Sequence, residues 1–281
     1  MKVRFFLFEN YHGKQNIGSS YIRGHQLVDV WDEAEVYKYG ENPDVLIFQK
    51  VYMTPDYKFH SRFKNKKVLD ICDPDWMNGT TLIRETIDNV DAVTCSSEAL
   101  VNFLKQFTSK PVVLIKDRFN TSVVPKPKLH KGNAKTVVWF GYRHNAETLK
   151  PALNKIIEKN LNLLVISDDD PLAWQWSPKH FNEENYQFIK YNEQTIYSDL
   201  QKADYALLPD GTRPIDVFKS NNRTVKAILA GLPVVKSVED MEKYENAVNR
   251  NIFVHDNWQN YVHEYDISRS VEEYKDLINK L

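Results

Sequence analysis

Short apolar runs alternate with longer stretches whose apolar positions recur every three or four residues, and this pattern covers most of the 281-residue chain. The runs at 3–8, 45–49, 67–72, 92–95 and 112–115 are rich in Val, Ile, Leu and Phe and read as strands. A second series follows at 136–140, 163–166, 186–189, 205–208 and 234–235. Because these runs are close to continuously apolar, they predict strands covered on both faces, as in parallel sheets. Between most of them, the stretches 21–31, 98–107, 146–159 and 195–202 carry helical spacing. The expected class is α/β, assembled from βαβ units.

The segment 219–235, KSNNRTVKAILAGLPVV, compresses such a unit into one passage. Ser220, Asn221 and Asn222 are all capping residue types at an expected helix start. Val225, Ile228, Leu229 and Leu232 give one apolar face. Gly231 is placed to end the helix, and Pro233 cannot continue it. Lys219 and Arg223 flank the start, which suits an anion held on a helix N-terminus. An ordinary αβ unit with its charges in solvent fits the same residues.

The stretch 125–133, PKPKLHKGN, breaks the alternation with two prolines and a glycine and no apolar period. It reads as a linker between two Rossmann-like domains, residues 1–124 and 134–262, that face one another across a ligand cleft. Residues 263–281 hold a last helix. The net charge of −1 gives no global attraction to nucleic acid or anionic membrane, although basic residues around 58–67 leave a nucleic-acid acceptor open. The N-terminal run 1–8 is too short for a signal peptide and is followed by Glu9 and Asn10. No run approaches the roughly 18 apolar residues of a spanning helix, so the expected location is cytoplasmic. Cys72 and Cys95 sit in apolar runs and are expected as buried free thiols.

The 219–235 segment also resembles the donor-binding helix of GT-B glycosyltransferases of the family 4-like group, with Ala227, Ala230, Gly231, Pro233 and Val234 matching that motif. Further stretches fall in the order such enzymes have: 18–25 (GSSYIRGH), 93–100 (VTCSSEAL), 111–117 (PVVLIKD), 139–145 (WFGYRHN) and 203–209 (ADYALLP). The resemblance implies an N-terminal acceptor domain, a C-terminal nucleotide-sugar domain and a last helix that packs back on the first half. It implies donor contacts from Gly18, Arg143, Asn145, Lys219, Ser220, Asn221, Asn222, Arg223 and Lys226. One departure stands out. The family commonly places a Glu, which binds ribose hydroxyls, where this chain has Lys226, and Phe218 replaces the earlier acidic partner. A hydrogen bond to a charged group is worth about 1.5–3 kcal/mol, so the loss corresponds to ~10–150-fold in donor affinity. Asp216 is the nearest acidic substitute, and Lys226 is then free to meet phosphate or another ribose substituent.

Other candidates carry chemistry of their own. The loop 141–145 follows a strand and precedes a helix, where Arg143 can grip a phosphate with two prongs. Together, Arg143, Lys219 and Arg223 would neutralise a departing diphosphate without a metal. Asp73, in the turn-like DPDW at 73–76, is the first candidate for a base that deprotonates an acceptor hydroxyl, with Asp75 beside it. A β-turn accounts for the same residues. His12 is a second candidate base, against a plain solvated loop histidine. Arg213, in 210–214 (DGTRP), is a further possible donor contact that turn chemistry also explains.

Several classes are excluded. The run 11–20 has Ser19 where a P-loop requires lysine, and no G-x-G-x-x-G occurs, so nicotinamide cofactors are not expected. The triple Asp168, Asp169 and Asp170 reads as a solvated loop, because neighbouring side chains on a strand end diverge. No His/Cys spacing suggests zinc. Trp174, Trp176 and Trp258 are either stacking platforms or core. The expected function is metal-independent transfer of a sugar from a nucleotide-sugar, with no other cofactor, to an acceptor that is a glycan, a small molecule or nucleic acid. A non-catalytic nucleotide- or sugar-binding protein on the same scaffold and a sugar-nucleotide epimerase are the alternatives.

Overall fold

The computed structural model describes residues 1–13, 17–52, 58, 60–78, 83–171 and 184–281. By contacts the chain divides into two units. The first comprises Met1–Asn120, Arg213–Ser220 and Tyr265–Leu281, and the second Thr121–Thr212 and Asn221–Glu264.

In the first unit, β1 (Val3–Leu7) leads into the short helix α1 (Phe8–His12). The chain then forms α2 (Gly18–Ser20), a π-helical turn over Tyr21–His25 and α3 (Gln26–Val30). The expected helix 21–31 therefore exists but is interrupted by the wider turn. The strands β2 (Ala34–Val36), β3 (Val45–Gln49) and β4 (Lys66–Ile71) follow. Next come α4 (Ile83–Asp88), β5 (Ala92–Cys95), α5 (Glu98–Leu104) and β6 (Val112–Leu114). These six strands form one sheet, ordered β2-β1-β3-β4-β5-β6, with every neighbouring pair parallel.

The two-residue period of the strands decides which core each side chain enters. Phe5, Leu7, Val45 and Ile47 pack with Leu27 and Trp31 on one face. Phe6, Leu46, Phe48, Leu69 and Ile71 pack with Ile87, Leu100 and Leu104 on the other. Cys72 and Cys95 are buried free thiols, and burial pushes the Cys95 thiol up to about 12.

The second unit has a five-stranded sheet. Its elements are β7 (Thr136–Phe140), α6 (Leu153–Glu158), β8 (Asn162–Ser167), β9 (Tyr186–Lys190) and α7 (Ile196–Leu200). They continue with β10 (Tyr205–Leu207), α8 (Asn222–Leu229), β11 (Val234–Val235) and α9 (Ala247–Glu264). The strand order is β11-β10-β7-β8-β9, again parallel throughout. Where a single helix was expected over 146–159, a 3-10 helix covers Arg143–Ala152 and contains Pro151. Proline has no N–H to give and crowds the preceding turn, so regular α-helical bonding begins only after it.

The expected linker 125–133 lies against the second unit. A Cβ on Gly231 would fall 2.5 Å from Pro127 Cβ and 2.8 Å from its Cα, and Gly231 has φ +79°. Only glycine satisfies both conditions, so α8 stops there for steric as well as conformational reasons. The last helix, α10 (Ile267–Lys280), belongs to the first unit, where Val271, Tyr274, Leu277 and Ile278 join the core beside Phe5 and Trp31. Asp266 caps it, accepting the Ser268 N–H at 3.0 Å. Among the described residues, no helix is long and apolar enough to cross a membrane.

Candidate functional site

Each sheet has one place where the chain reverses its direction of winding, and in open parallel sheets ligands bind outside the strand C-termini at that point. In the second unit it falls between β7 and β10, because the chain runs β7, β8, β9 to one side and β10, β11 to the other. The residues that follow β7, and the helix α8 that comes after β10, converge there. Gly141 has φ +149°, and the nearest atom to its missing Cβ would be Arg223 Nη1, at 3.2 Å. The glycine thus leaves room for the Arg223 guanidinium, which donates to the Phe140 carbonyl at 3.3 Å and lies 6.0 Å from the Trp139 ring.

Arg143 sits two residues on. Its backbone N–H donates to Asp168 Oδ1 at 2.7 Å, and its guanidinium pairs with Asp169 at 2.7 Å. The expected solvated triple aspartate is exposed in part, but each member has a task. Asp168 also accepts from Ser167 at 3.0 Å, and Asp170 accepts from the Tyr186 hydroxyl at 2.5 Å. Asn145 lies in the turn after Arg143, its N–H bonded to the Tyr142 carbonyl at 2.9 Å.

Helix α8 begins at Asn222 with Asn221 at the N-cap position, yet the Asn221 side chain makes no cap bond. Lys226, one turn in, is buried, with 4% of its surface exposed. Its ammonium is bound by Glu193 at 2.7 and 3.0 Å and by the Tyr191 hydroxyl at 2.9 Å. Tyr191 in turn donates to Glu193. Burial lowers the Lys226 pKa, and Glu193 opposes that shift. Glu193 and Tyr191 had no sequence signal, because they lie more than thirty positions from their partner.

The remaining predicted donor residues group with the first unit. Lys219 pairs with Asp216 at 2.9 Å, and Arg213 reaches the same carboxylate at 2.9 Å. Burial works against ionising Asp216, but hydrogen bonds from Arg213 and Lys219 outweigh it and hold the carboxyl well below the usual range. Ser220 donates to Asp117 at 2.5 Å, and Gly18 opens α2. His12 ends α1. Asp73 follows β4 and is bound by the Lys50 ammonium at 2.6 Å, with Asp75 at 3.4 Å from the same nitrogen. Tyr52 donates to the Asp73 carbonyl at 2.7 Å. Trp258 donates to the Leu229 carbonyl at 2.9 Å, closing the end of α8. Trp174 and Trp176 lie outside the described residues. Among the described residues, no three His, Cys, Asp or Glu side chains converge as a metal site requires.

No protein-family model matches the sequence, and no curated protein matches it either. Solved structures do. An alpha-glucosyltransferase in complex with UDP and a 13-mer DNA superposes with a TM-score of 0.72 at 10% identity, covering 99% of each chain. The Anabaena protein HepE in complex with UDP gives 0.65 at 13% identity over 100% of both chains. TarM gives 0.63 at 15% identity; the match covers 84% of this chain and 54% of TarM, about half of its length. These likenesses, with the two parallel sheets, establish a GT-B fold built from two Rossmann-like units.

Proposed function

We propose that this chain is a glycosyltransferase that takes a sugar from a nucleoside-diphosphate sugar and passes it to an acceptor hydroxyl, with the second unit holding the donor. The observation that carries this reading is the pair of guanidinium groups, Arg143 and Arg223, beside the left-handed Gly141 at the β7/β10 switch point. As the bond from the anomeric carbon to the diphosphate breaks, negative charge grows on the leaving phosphate. Preformed cations stabilise that charge in the transition state and need no reorganisation to do so. The Arg143–Asp169 pair is exposed on both sides, 41% and 51%, and such pairs are worth ~0–1 kcal/mol. A diphosphate therefore displaces Asp169 at little cost.

Charge neutralisation by these side chains makes a metal ion unnecessary in this reading. Lys226 braces the loop after β9 through Glu193 rather than touching phosphate, and Glu193, a quarter exposed, keeps lone pairs for donor hydroxyls. The UDP bound in HepE and in the alpha-glucosyltransferase supports a uridine donor as the first to test.

The test is a thermal-shift screen with UDP, GDP, ADP, CMP and their common sugar conjugates, run beside Arg143→Ala and Arg223→Ala. A ligand at 100 times its dissociation constant adds ~2.7 kcal/mol of stability. The expected result is a shift for one nucleotide family that both variants diminish. No shift with any nucleotide would overturn the reading.

A further inference from the structure

The segment 58–67, KFHSRFKNKK, carries five Lys and Arg side chains and no carboxylate, in a chain whose net charge is −1. The donor reading makes no use of it. It leads into β4 and lies beside the 41–44 segment that leads into β3, so it sits at the N-terminal edge of the first sheet. The winding of that sheet reverses between β1 and β3, and the crevice this creates is at the opposite, C-terminal edge. The five residues of β3, at ~3.3 Å each, set the two edges ~16 Å apart. A ligand at the N-terminal edge is therefore independent of the crevice and is decided by the side chains found there.

Rings anchor this segment and leave its cations outside. His60 packs on Phe48 with ring centroids 4.2 Å apart, and Phe63 packs on Phe48 at 5.7 Å and on Tyr37 at 5.8 Å. Lys58, Arg62 and Lys64, set around these anchors, are exposed. Among the described residues, Arg62 and Lys64 have no hydrogen-bond or ion-pair partner. With Lys66, Leu46 and Phe63 they line a cavity of about 390 Å³. Lys66 gives one of its three protons to the Ile278 carbonyl at 3.0 Å and keeps two. Glu41 is the acidic member of the lining, and it is already engaged. Arg4 holds it at 3.1 Å and Lys2 at 3.4 Å, and it accepts the Lys38 N–H at 3.0 Å. Asp44 and Asp91 are likewise occupied, by the backbone N–H groups of Lys2 at 2.6 Å and Lys67 at 2.7 Å. Two amides complete the lining. Asn65 Nδ2 donates to Asn42 Oδ1 at 2.9 Å and to the Pro43 carbonyl at 2.5 Å, which leaves Asn65 Oδ1 and Asn42 Nδ2 as a neighbouring acceptor and donor.

Cations without partners call for an anion, an aromatic ring offers a face to a base, and an adjacent donor and acceptor suit a base edge. We infer that this N-terminal edge of the first sheet is a binding site for single-stranded nucleic acid. One base enters the cavity against Phe63, within reach of Asn42 and Asn65, while Arg62, Lys64 and Lys66 meet the flanking phosphates. A duplex keeps its bases stacked and paired, so only an unpaired strand can place one in a cavity. Because the chain as a whole carries almost no net charge, the attraction is local to this edge and weakens steeply with salt. The site lies wholly within the first unit and stands whether or not the donor reading of the second holds.

The experiment follows the fluorescence anisotropy of a labelled mixed-sequence DNA strand of about ten nucleotides, its RNA counterpart and the matching DNA duplex, titrated with the full chain. The expected outcome is binding of a single strand in preference to the duplex. Raising the salt from about 50 to about 200 mM should weaken it by ~20-fold, the value for three phosphate contacts at a slope of ~0.7 each. Arg62→Ala and Lys64→Ala replace exposed side chains, so both should melt like the unaltered chain. Each should lower affinity by ~10-fold or more and reduce the salt slope by ~0.7. Lys105→Ala, which removes an exposed cation of the same unit from outside the cavity, should change neither. No binding of either strand at about 50 mM salt would overturn the inference, as would equal binding of the duplex. Undiminished affinity in Arg62→Ala and Lys64→Ala, or an equal loss in Lys105→Ala, would do the same, the latter by reducing the effect to diffuse charge. Displacement of the strand by tripolyphosphate at equal phosphate concentration would overturn it too, leaving a site for small phosphates alone.

Discussion

The two units share one plan, a parallel sheet whose winding reverses once, yet their switch points present opposite chemistry. In the second unit the crevice is bordered by Arg143, Arg223 and a glycine that lets a guanidinium approach. In the first it is bordered by Glu9, His25 and the carboxylates around Lys50. The backbone rule says where a ligand goes, and the side chains say which charge it carries. One crevice is lined by guanidinium groups, the other by carboxylates, a lysine and a histidine.

A second contrast concerns ion pairs, and it carries the largest expected effect. In the first unit Arg23 is 3% exposed, between Asp70 at 0% and Asp117 at 5%. It donates to Asp70 at 2.5 and 2.7 Å, to Asp117 at 2.7 Å and to the Ile115 carbonyl at 2.8 Å. Thr94 at 2.6 Å and Tyr274 at 3.0 Å complete the shell of Asp70. Arg23→Met leaves two buried carboxylates uncompensated and should cost ~3–5 kcal/mol in denaturant unfolding. Arg143→Ala breaks an exposed pair in the second unit and should cost under about 1 kcal/mol. Equal losses in the two variants would dissolve the contrast.

The ranking of the two units reverses when the measured quantity is nucleotide affinity. Arg223→Ala should weaken binding by about 1.5–3 kcal/mol, ~10–150-fold, while Lys50→Met in the first unit should leave it unchanged. Calorimetric titration with the nucleotide found in the screen decides this. Loss of affinity in Lys50→Met would mean that the division of chemistry between the crevices is drawn in the wrong place.

The pattern of apolar runs located the strands closely. The runs at 45–49, 92–95, 136–140 and 234–235 coincide with β3, β5, β7 and β11, because strands buried on both faces have no polar side to blur their ends. The edge strand β2 escaped notice; it is three residues long and includes Glu35. So did α9, whose apolar positions Val248 and Ile252 are exposed at 66% and 54% and so disturb any buried stripe. At the sites, residue types such as Arg143 and Arg223 were legible because each adjoins a strand end or a helix start. Partnerships were not. Glu193 with Lys226 and Glu9 with His25 join elements that are adjacent only after the sheet has formed, and sequence spacing holds no trace of them.

Acid sensitivity offers a smaller but sharp comparison. His60 in the first unit is 0% exposed, its ring 4.2 Å from Phe48, and burial pushes its pKa down to about 3. His130 in the second unit is also buried, its Nε2 3.0 Å from the Gly231 carbonyl, and burial lowers its pKa too. Both histidines are neutral when folded but gain a proton below about pH 6.5 when unfolded. Their contributions are therefore intact above pH 6.5 and decline as the pH falls toward the folded value. For His60 the loss at pH 5 should be ~2 kcal/mol. His60→Phe should remove that part of the difference in unfolding free energy between pH 7 and pH 5. A difference unchanged from that of the unaltered chain would show that the ring is not kept neutral by burial.

The smallest expected effect distinguishes two helix starts. Asp266 caps α10 with bonds from the Ser268 N–H at 3.0 Å and its hydroxyl at 2.5 Å, so Asp266→Ala should cost ~1 kcal/mol. Asn221 occupies the same position on α8 without making the cap bond, so Asn221→Ala should cost less than Asp266→Ala. The helix that serves only the fold is closed by its own side chain. The helix at the β7/β10 crevice is not closed by its N-cap side chain. Should Asn221→Ala prove as costly as Asp266→Ala, α8 would be an ordinarily capped helix, and the donor reading would rest on the two arginines alone.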